Sequence, residues 1–238
     1  MSWETKLDYC SLAVEGKLLV KNSSEGKTCQ YLEKTGRLGA YAATRVFGER
    51  ATPSNSYTVA DSVTVQGKAL GSVASVNGKK FALQSIKWST GSDQEPTFEG
   101  SAAQVGDAAA TRNTFEVPEF CISPDQVAQI PEFKFAGETE CQPAFTLAGG
   151  GCELTACGGE IACKVGTNDK NGYPYAHDVT TGKITLNVTI GQYGESAPEL
   201  VPADGWDMSS PLTSDDPDSD MPTWTCTLSR PLVKKMAE

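Results

Sequence analysis

The chain has 238 residues, a formal net charge of −10, eight cysteines and one histidine, and 39% of its residues are apolar. That apolar share suffices for a packed core and excludes wholesale disorder, while the acidic balance argues against sequence-specific nucleic-acid binding, which needs a clustered basic surface. Lys79-Lys80 and Lys234-Lys235 are isolated pairs, and no stretch approaches the roughly 20 apolar residues of a membrane-spanning helix, so no membrane partner is expected.

Residues 1–9 are charged and lack the apolar core of a signal peptide, which sets an expectation of synthesis and folding in a cytoplasm. Residues 1–56 read as an irregular N-terminal arm or extension, with one strand over 12–20. A stretch over 38–47 is interrupted by Gly39 and reads as helical or extended. Residues 57–238 read as a β-sandwich domain, or as two β sub-modules, 57–120 and 121–238.

Within that region strands are expected over 57–65, 114–117, 132–135, 145–147 and 160–165. A hairpin joins 72–76 to 81–88 through Asn77-Gly78, a dipeptide that tolerates the positive φ of a tight turn. Residues 90–110 read as a long polar loop. Pro124, after Ser123 and before Gln126, starts a short helix that Pro131 ends.

The firmest strands come last. Ile184, Leu186, Val188 and Ile190 alternate with Thr185, Asn187 and Thr189, a period of two with one face buried and one wet. Trp224, Cys226 and Leu228 alternate with threonines in the same way until Pro231 stops the ladder. The stretches 81–117 and 153–190 share a layout of strand, polar excursion and strand, with the second excursion over 166–182. The expected fold class is all-β: an antiparallel β-sandwich or barrel with one or two short helices.

Chemistry is sparse in the sequence. His177 beside Asp178 could orient a base, yet no strained nucleophile elbow accompanies it, so a loop histidine is the expectation. Gly149-Gly150-Gly151 precedes a strand where a phosphate loop requires a helix, so a turn is expected. Asp216, Asp218 and Asp220 are spaced like the start of a calcium loop. The sixth position is Met221 instead of glycine and the twelfth is Thr227 instead of glutamate, which favours a solvated acidic loop.

The cysteines (Cys10, Cys29, Cys121, Cys141, Cys152, Cys157, Cys163 and Cys226) lack zinc spacing. They read as buried thiols, with disulfides and metal as the lesser alternatives. The sequons at Asn22 and Asn187 read as chance matches. Trp88 and Trp224 are expected in the core. No catalytic, cofactor-binding or metal residue is assigned, and the expectation is a protein that is not an enzyme.

Three passages resemble the tail proteins of long-tailed bacteriophages and prophages, tail tube-like subunits in particular. They are Tyr173-Pro174-Tyr175-Ala176-His177-Asp178 with the strand that follows, Gly205-Trp206 leading through Ser210-Pro211-Leu212 into the acidic loop, and the closing run over 222–232. The resemblance implies a β-sandwich that joins copies of itself and other virion tail proteins into rings, commonly hexameric, stacked as a tube. It implies assembly in the bacterial host cytoplasm, residence in the virion and no active site. An accessory or decoration β-sandwich on a phage particle or cell surface, binding a protein or glycan, is the alternative.

Overall fold

The computed structural model describes residues 13–35, 41–66, 73–76, 79–91, 94–106, 113–116, 118, 120–122, 133–135, 142–148, 151–217 apart from 171–172, and 219–236. They form fifteen strands and no helix. In chain order these are β1 (Ala13–Thr35), β2 (Tyr41–Gln66), β3 (Val73–Val76), β4 (Lys79–Gly91), β5 (Gln94–Val105), β6 (Asn113–Glu116), β7 (Phe120–Ile122) and β8 (Phe133–Phe135). They continue with β9 (Phe145–Ala148), β10 (Cys152–Lys170), β11 (Tyr173–Gln192), β12 (Glu199–Pro202), β13 (Asp207–Ser214), β14 (Thr223–Pro231) and β15 (Val233–Met236).

Eleven strands join one sheet in the order β13-β14-β11-β10-β4-β5-β2-β8-β7, with β1 added to β2 and β3 to β4. Its pairings are antiparallel except β2 with β8, which is parallel. Two small antiparallel pairs, β9 with β12 and β6 with β15, complete the set.

The alternation read from the sequence decides which face is buried. Ile184, Leu186, Val188 and Ile190 of β11 and Cys226 and Leu228 of β14 are buried, beside Ile86 and Trp88 of β4 and Leu154, Cys157 and Ile161 of β10. Phe120 and Ile122 of β7, Phe145 of β9, Leu200 of β12 and Trp206 close over them as one core. Phe120 bridges the layers, its ring centroid 6.0 Å from that of Trp88 and 5.3 Å from that of Trp206 in an edge-on contact. The architecture is an all-β sandwich.

Several expectations meet the structure directly. Val76 pairs with Lys79 in the antiparallel β3–β4 hairpin, and Asn77-Gly78, expected at its turn, lie outside the described residues. Residues 41–47 are extended within β2, and the short helix from Ser123 lies outside the described residues.

The segment read as an irregular arm contains β1 and the first part of β2, paired antiparallel with four register shifts, and residue 56 falls inside the β2–β5 ladder. The polar loop expected over 90–110 is for the most part strand β5, which runs along β4 from Gly91↔Gln94 to Lys80↔Val105. Its buried positions hold Phe98, Gly100, Ala102 and Val105, so Phe98 is the one aromatic side chain that marks the inner face, beside two small residues. Among the described residues no helix is long and apolar enough to cross a membrane.

Candidate functional site

With its inner face committed to the core, the sheet presents its other face outward, and across β5, β4, β10, β11, β14 and β13 that face is mainly polar. Thr97, Ser89, Gly158, Asn187, Thr227 and Ser210 stand in register across β5, β4, β10, β11, β14 and β13. The neighbouring row is Glu99, Lys87, Glu160, Thr185, Ser229 and Asp207.

Cross-strand partners in these rows satisfy one another, as adjacent side chains on a pleated face do. Ser89 and Thr97 share a hydrogen bond of 3.3 Å, Thr227 Oγ1 donates to Asn187 Oδ1 at 3.1 Å, and Lys87 Nζ lies 3.6 Å from Glu160 Oε1. Both partners of that ion pair are well solvated, so it contributes little to stability.

The rows are interrupted at Gly158. Without a side chain there, a depression of about 430 Å³ opens between Ser89, Glu160 and Asn187, with Lys87 and Glu99 also lining it. Its groups are hydroxyls, an amide, two carboxylates and one ammonium. This chemistry suits recognition of a polar surface or ligand through hydrogen bonds.

The residues singled out in the sequence are dispersed. His177 and Asp178 lie in β11 opposite Thr167 and Gly166, far along the β10–β11 hairpin from the depression. Gly151 is a fixed turn: its φ is +76°, and its carbonyl accepts hydrogen bonds from the amides of Tyr193 and Gly194. Gly149 and Gly150 lie outside the described residues.

In the acidic loop Asp215, Asp216 and Asp220 are exposed, the Ser219 amide donates to the Asp216 carbonyl at 3.3 Å, and the Met221 amide donates to Ser219 Oγ at 3.4 Å. Asp218 lies outside the described residues, and among the described ones no group of three or more metal-ligating side chains comes together.

Among the described residues five cysteines are free thiols and not disulfide-bonded: Cys121, Cys157, Cys163 and Cys226 are buried and Cys152 is half-buried. Burial pushes the Cys157 and Cys163 thiols up to about 12 and Cys226 up to about 11, and the proximity of Cys226 adds to the shift at Cys157. Cys163 Sγ donates to the Leu83 carbonyl at 3.4 Å. Such thiols are packing groups and not nucleophiles.

Of the tryptophans, Trp88 is buried as expected, and Trp224 packs half-buried against the core and donates its indole N–H to Gln192 Oε1 at 2.8 Å. Trp206, without a strand pattern to mark it, is buried against Phe120. Asn187 is exposed, and its place in the polar row became visible only with the strand registers.

No known protein family and no curated protein matches the chain in sequence.

Proposed function

We propose that the chain is a non-enzymatic structural protein, a tail tube-like subunit of a phage or prophage virion that assembles with copies of itself into rings or a tube. The observation that carries the self-assembly reading is the asymmetry of the sheet's edges. β13 is a blunted edge: Pro211 lies within it, its register against β14 shifts twice, and Asp207 stands at its start. β1 is the opposite case. It runs 23 residues and pairs only with β2 among the described residues, so the described strands leave one side of its backbone donors and acceptors for a further strand.

Over 41–53, β2 pairs only with β1 among the described residues, and at about 3.3 Å per residue this portion is roughly 40 Å long. An isolated two-stranded ribbon is marginal in water and gains from a neighbour's surface. Assignment to a virion tail rests on the resemblance carried by residues 173–178, 205–212 and 222–232. Negative-stain microscopy of purified protein across a concentration series tests this reading. Uniform rings or tubes support it, and dispersed monomers at every concentration contradict it.

The second reading, an accessory β-sandwich that binds a protein or glycan, is favoured by the polar depression over Gly158. Binding to a sugar array by a chain that stays monomeric, lost in Asn187→Ala, selects it.

A further inference from the structure

The polar face of the sheet carries an aromatic ring as well as a depression. Gly191 continues the outward series Thr185, Asn187 and Thr189 of β11, which pairs with β14 here without a register shift. A Cβ added at Gly191 would meet Tyr193 Oη at 3.4 Å and Tyr193 Cζ at 3.6 Å, so the phenol end of Tyr193 lies over this face. Tyr193 is 51% exposed, and its hydroxyl donates to Glu153 Oε1 at 2.6 Å, which holds the ring at the surface. A ring fixed in this way covers a ligand with little further loss of side-chain freedom.

The depression at Gly158 lies along the same strand. Asn187 lines it and stands four residues before Gly191, so the two places are about 13 Å apart along β11. The register pair between them is Thr189 with Ala156 of β10, and neither is large enough to divide them.

The hydrogen-bonding groups at the depression are of both kinds. Thr227 Oγ1 donates to Asn187 Oδ1 at 3.1 Å, which leaves the Asn187 Nδ2 hydrogens to donate. Glu160 lies 3.6 Å from Lys87 through Oε1 and keeps Oε2 to accept. Asn187 and Glu160 are diagonal neighbours, since Gly158 pairs with Asn187 and Glu160 with Thr185. A donor beside an acceptor suits the adjacent hydroxyls of a sugar, each of which both donates and accepts.

The surroundings select among polar ligands. Lys87 is the one cation among the described residues lining the depression and is shared with Glu160, while Glu153 stands beside the tyrosine ring, so an anionic sugar is not favoured. The same lining offers no exposed apolar side chain, around which the centre of a protein interface is built.

We infer that this face binds a short neutral oligosaccharide laid along β10 and β11, with one ring stacked on Tyr193 and another held in the depression by Asn187 and Glu160. This names the ligand of the glycan-binding reading given above and rests on that reading. It adds Tyr193 as a second point of contact and is independent of whether the chain assembles.

The test is a panel of immobilised neutral and anionic oligosaccharides probed with the full chain. Titration calorimetry then compares the neutral oligosaccharide bound most tightly with its constituent monosaccharide. The oligosaccharide is expected to bind at least about tenfold more tightly, because it alone reaches both places. Tyr193→Ala and Asn187→Ala are each expected to weaken it about tenfold, and Tyr193→Phe, which keeps the ring, about threefold or less. Both side chains are exposed, so the variants are expected to keep the thermal midpoint of the natural chain. Binding that both alanine variants leave unchanged overturns this site and leaves the glycan reading standing. A preference for anionic oligosaccharides overturns the neutral class. A chain that binds no oligosaccharide overturns the inference and the glycan reading together, and leaves a protein as the partner of this face.

Discussion

The indole of Trp88 packs against Gly159, its antiparallel partner on β10: a Cβ at that position would stand 2.5 Å from Trp88 Cζ2 and 2.5 Å from the Thr185 carbonyl oxygen. Glycine leaves the slot into which the largest side chain of the core fits. Gly159→Ala is therefore expected to destabilise the fold by about 2–4 kcal/mol, the range of a clash in a tightly packed core, measured by urea unfolding. Gly158 faces the other way, and a Cβ there would meet the Trp88 carbonyl at 3.0 Å. Gly158→Ala is expected to cost about 1 kcal/mol or less, because small backbone adjustments relieve that contact.

Gly151 combines a φ of +76° with a close approach, its would-be Cβ lying 2.8 Å from the Gly194 amide nitrogen. Gly151→Ala should lower stability by roughly 2–3 kcal/mol, through a strained backbone and displacement of the 193–194 turn. Thermal unfolding of the variant beside the natural chain measures it. An unchanged midpoint would mean that the turn can rearrange at no cost.

The buried thiols give the fold an alkaline limit. Their folded-state values are raised from the ordinary 9.0 to about 12 at Cys157 and Cys163 and about 11 at Cys226, so the unfolded chain loses these protons first. The stability they contribute is complete below pH 9 and is lost as pH rises towards 12. In Cys157→Ala the decline between pH 9 and 12 is expected to be shallower than in the natural chain, even though the cavity lowers stability at pH 7. Denaturant midpoints across that range provide the comparison, and parallel curves would contradict the assignment.

Exposure sets the order of thiol reactivity. Among the described cysteines, half-buried Cys152 is expected to label first with a thiol reagent at pH 8, and Cys157, Cys163 and Cys226 only as the protein unfolds. Mass-spectrometric mapping of the labelled sites checks the order, and prompt labelling of Cys157 would contradict its packing.

Period-two alternation made β11 and β14 legible because Ile184, Leu186, Val188 and Ile190 fill the buried positions of one and Cys226 and Leu228 those of the other, and Asn77-Gly78 pointed to the β3–β4 hairpin. β5 was not legible, since its inner positions are mostly small and it is held by pairing with β4 more than by its own side chains. β13 was hidden for the opposite reason: Pro211 argues against a strand, yet an edge position tolerates it.

The polar rows and the acidic cluster at one end of the sheet belong to no local motif. Thr97 and Ser210 are 113 positions apart in sequence and share a row only because four strands intervene in register. Likewise, Glu153 and Asp220 come to one end only through the β10–β11–β14 order.

The central claim, assembly along the open edge of β1, is tested most directly by amide hydrogen exchange over residues 13–35 at low and high protein concentration. In a lone chain the amides of β1 that point away from β2 have no strand partner among the described residues. They are expected to exchange quickly when dilute and to become protected as copies assemble, while the amides of β11 stay protected throughout. Exchange over 13–35 that is the same at every concentration would contradict assembly along this edge.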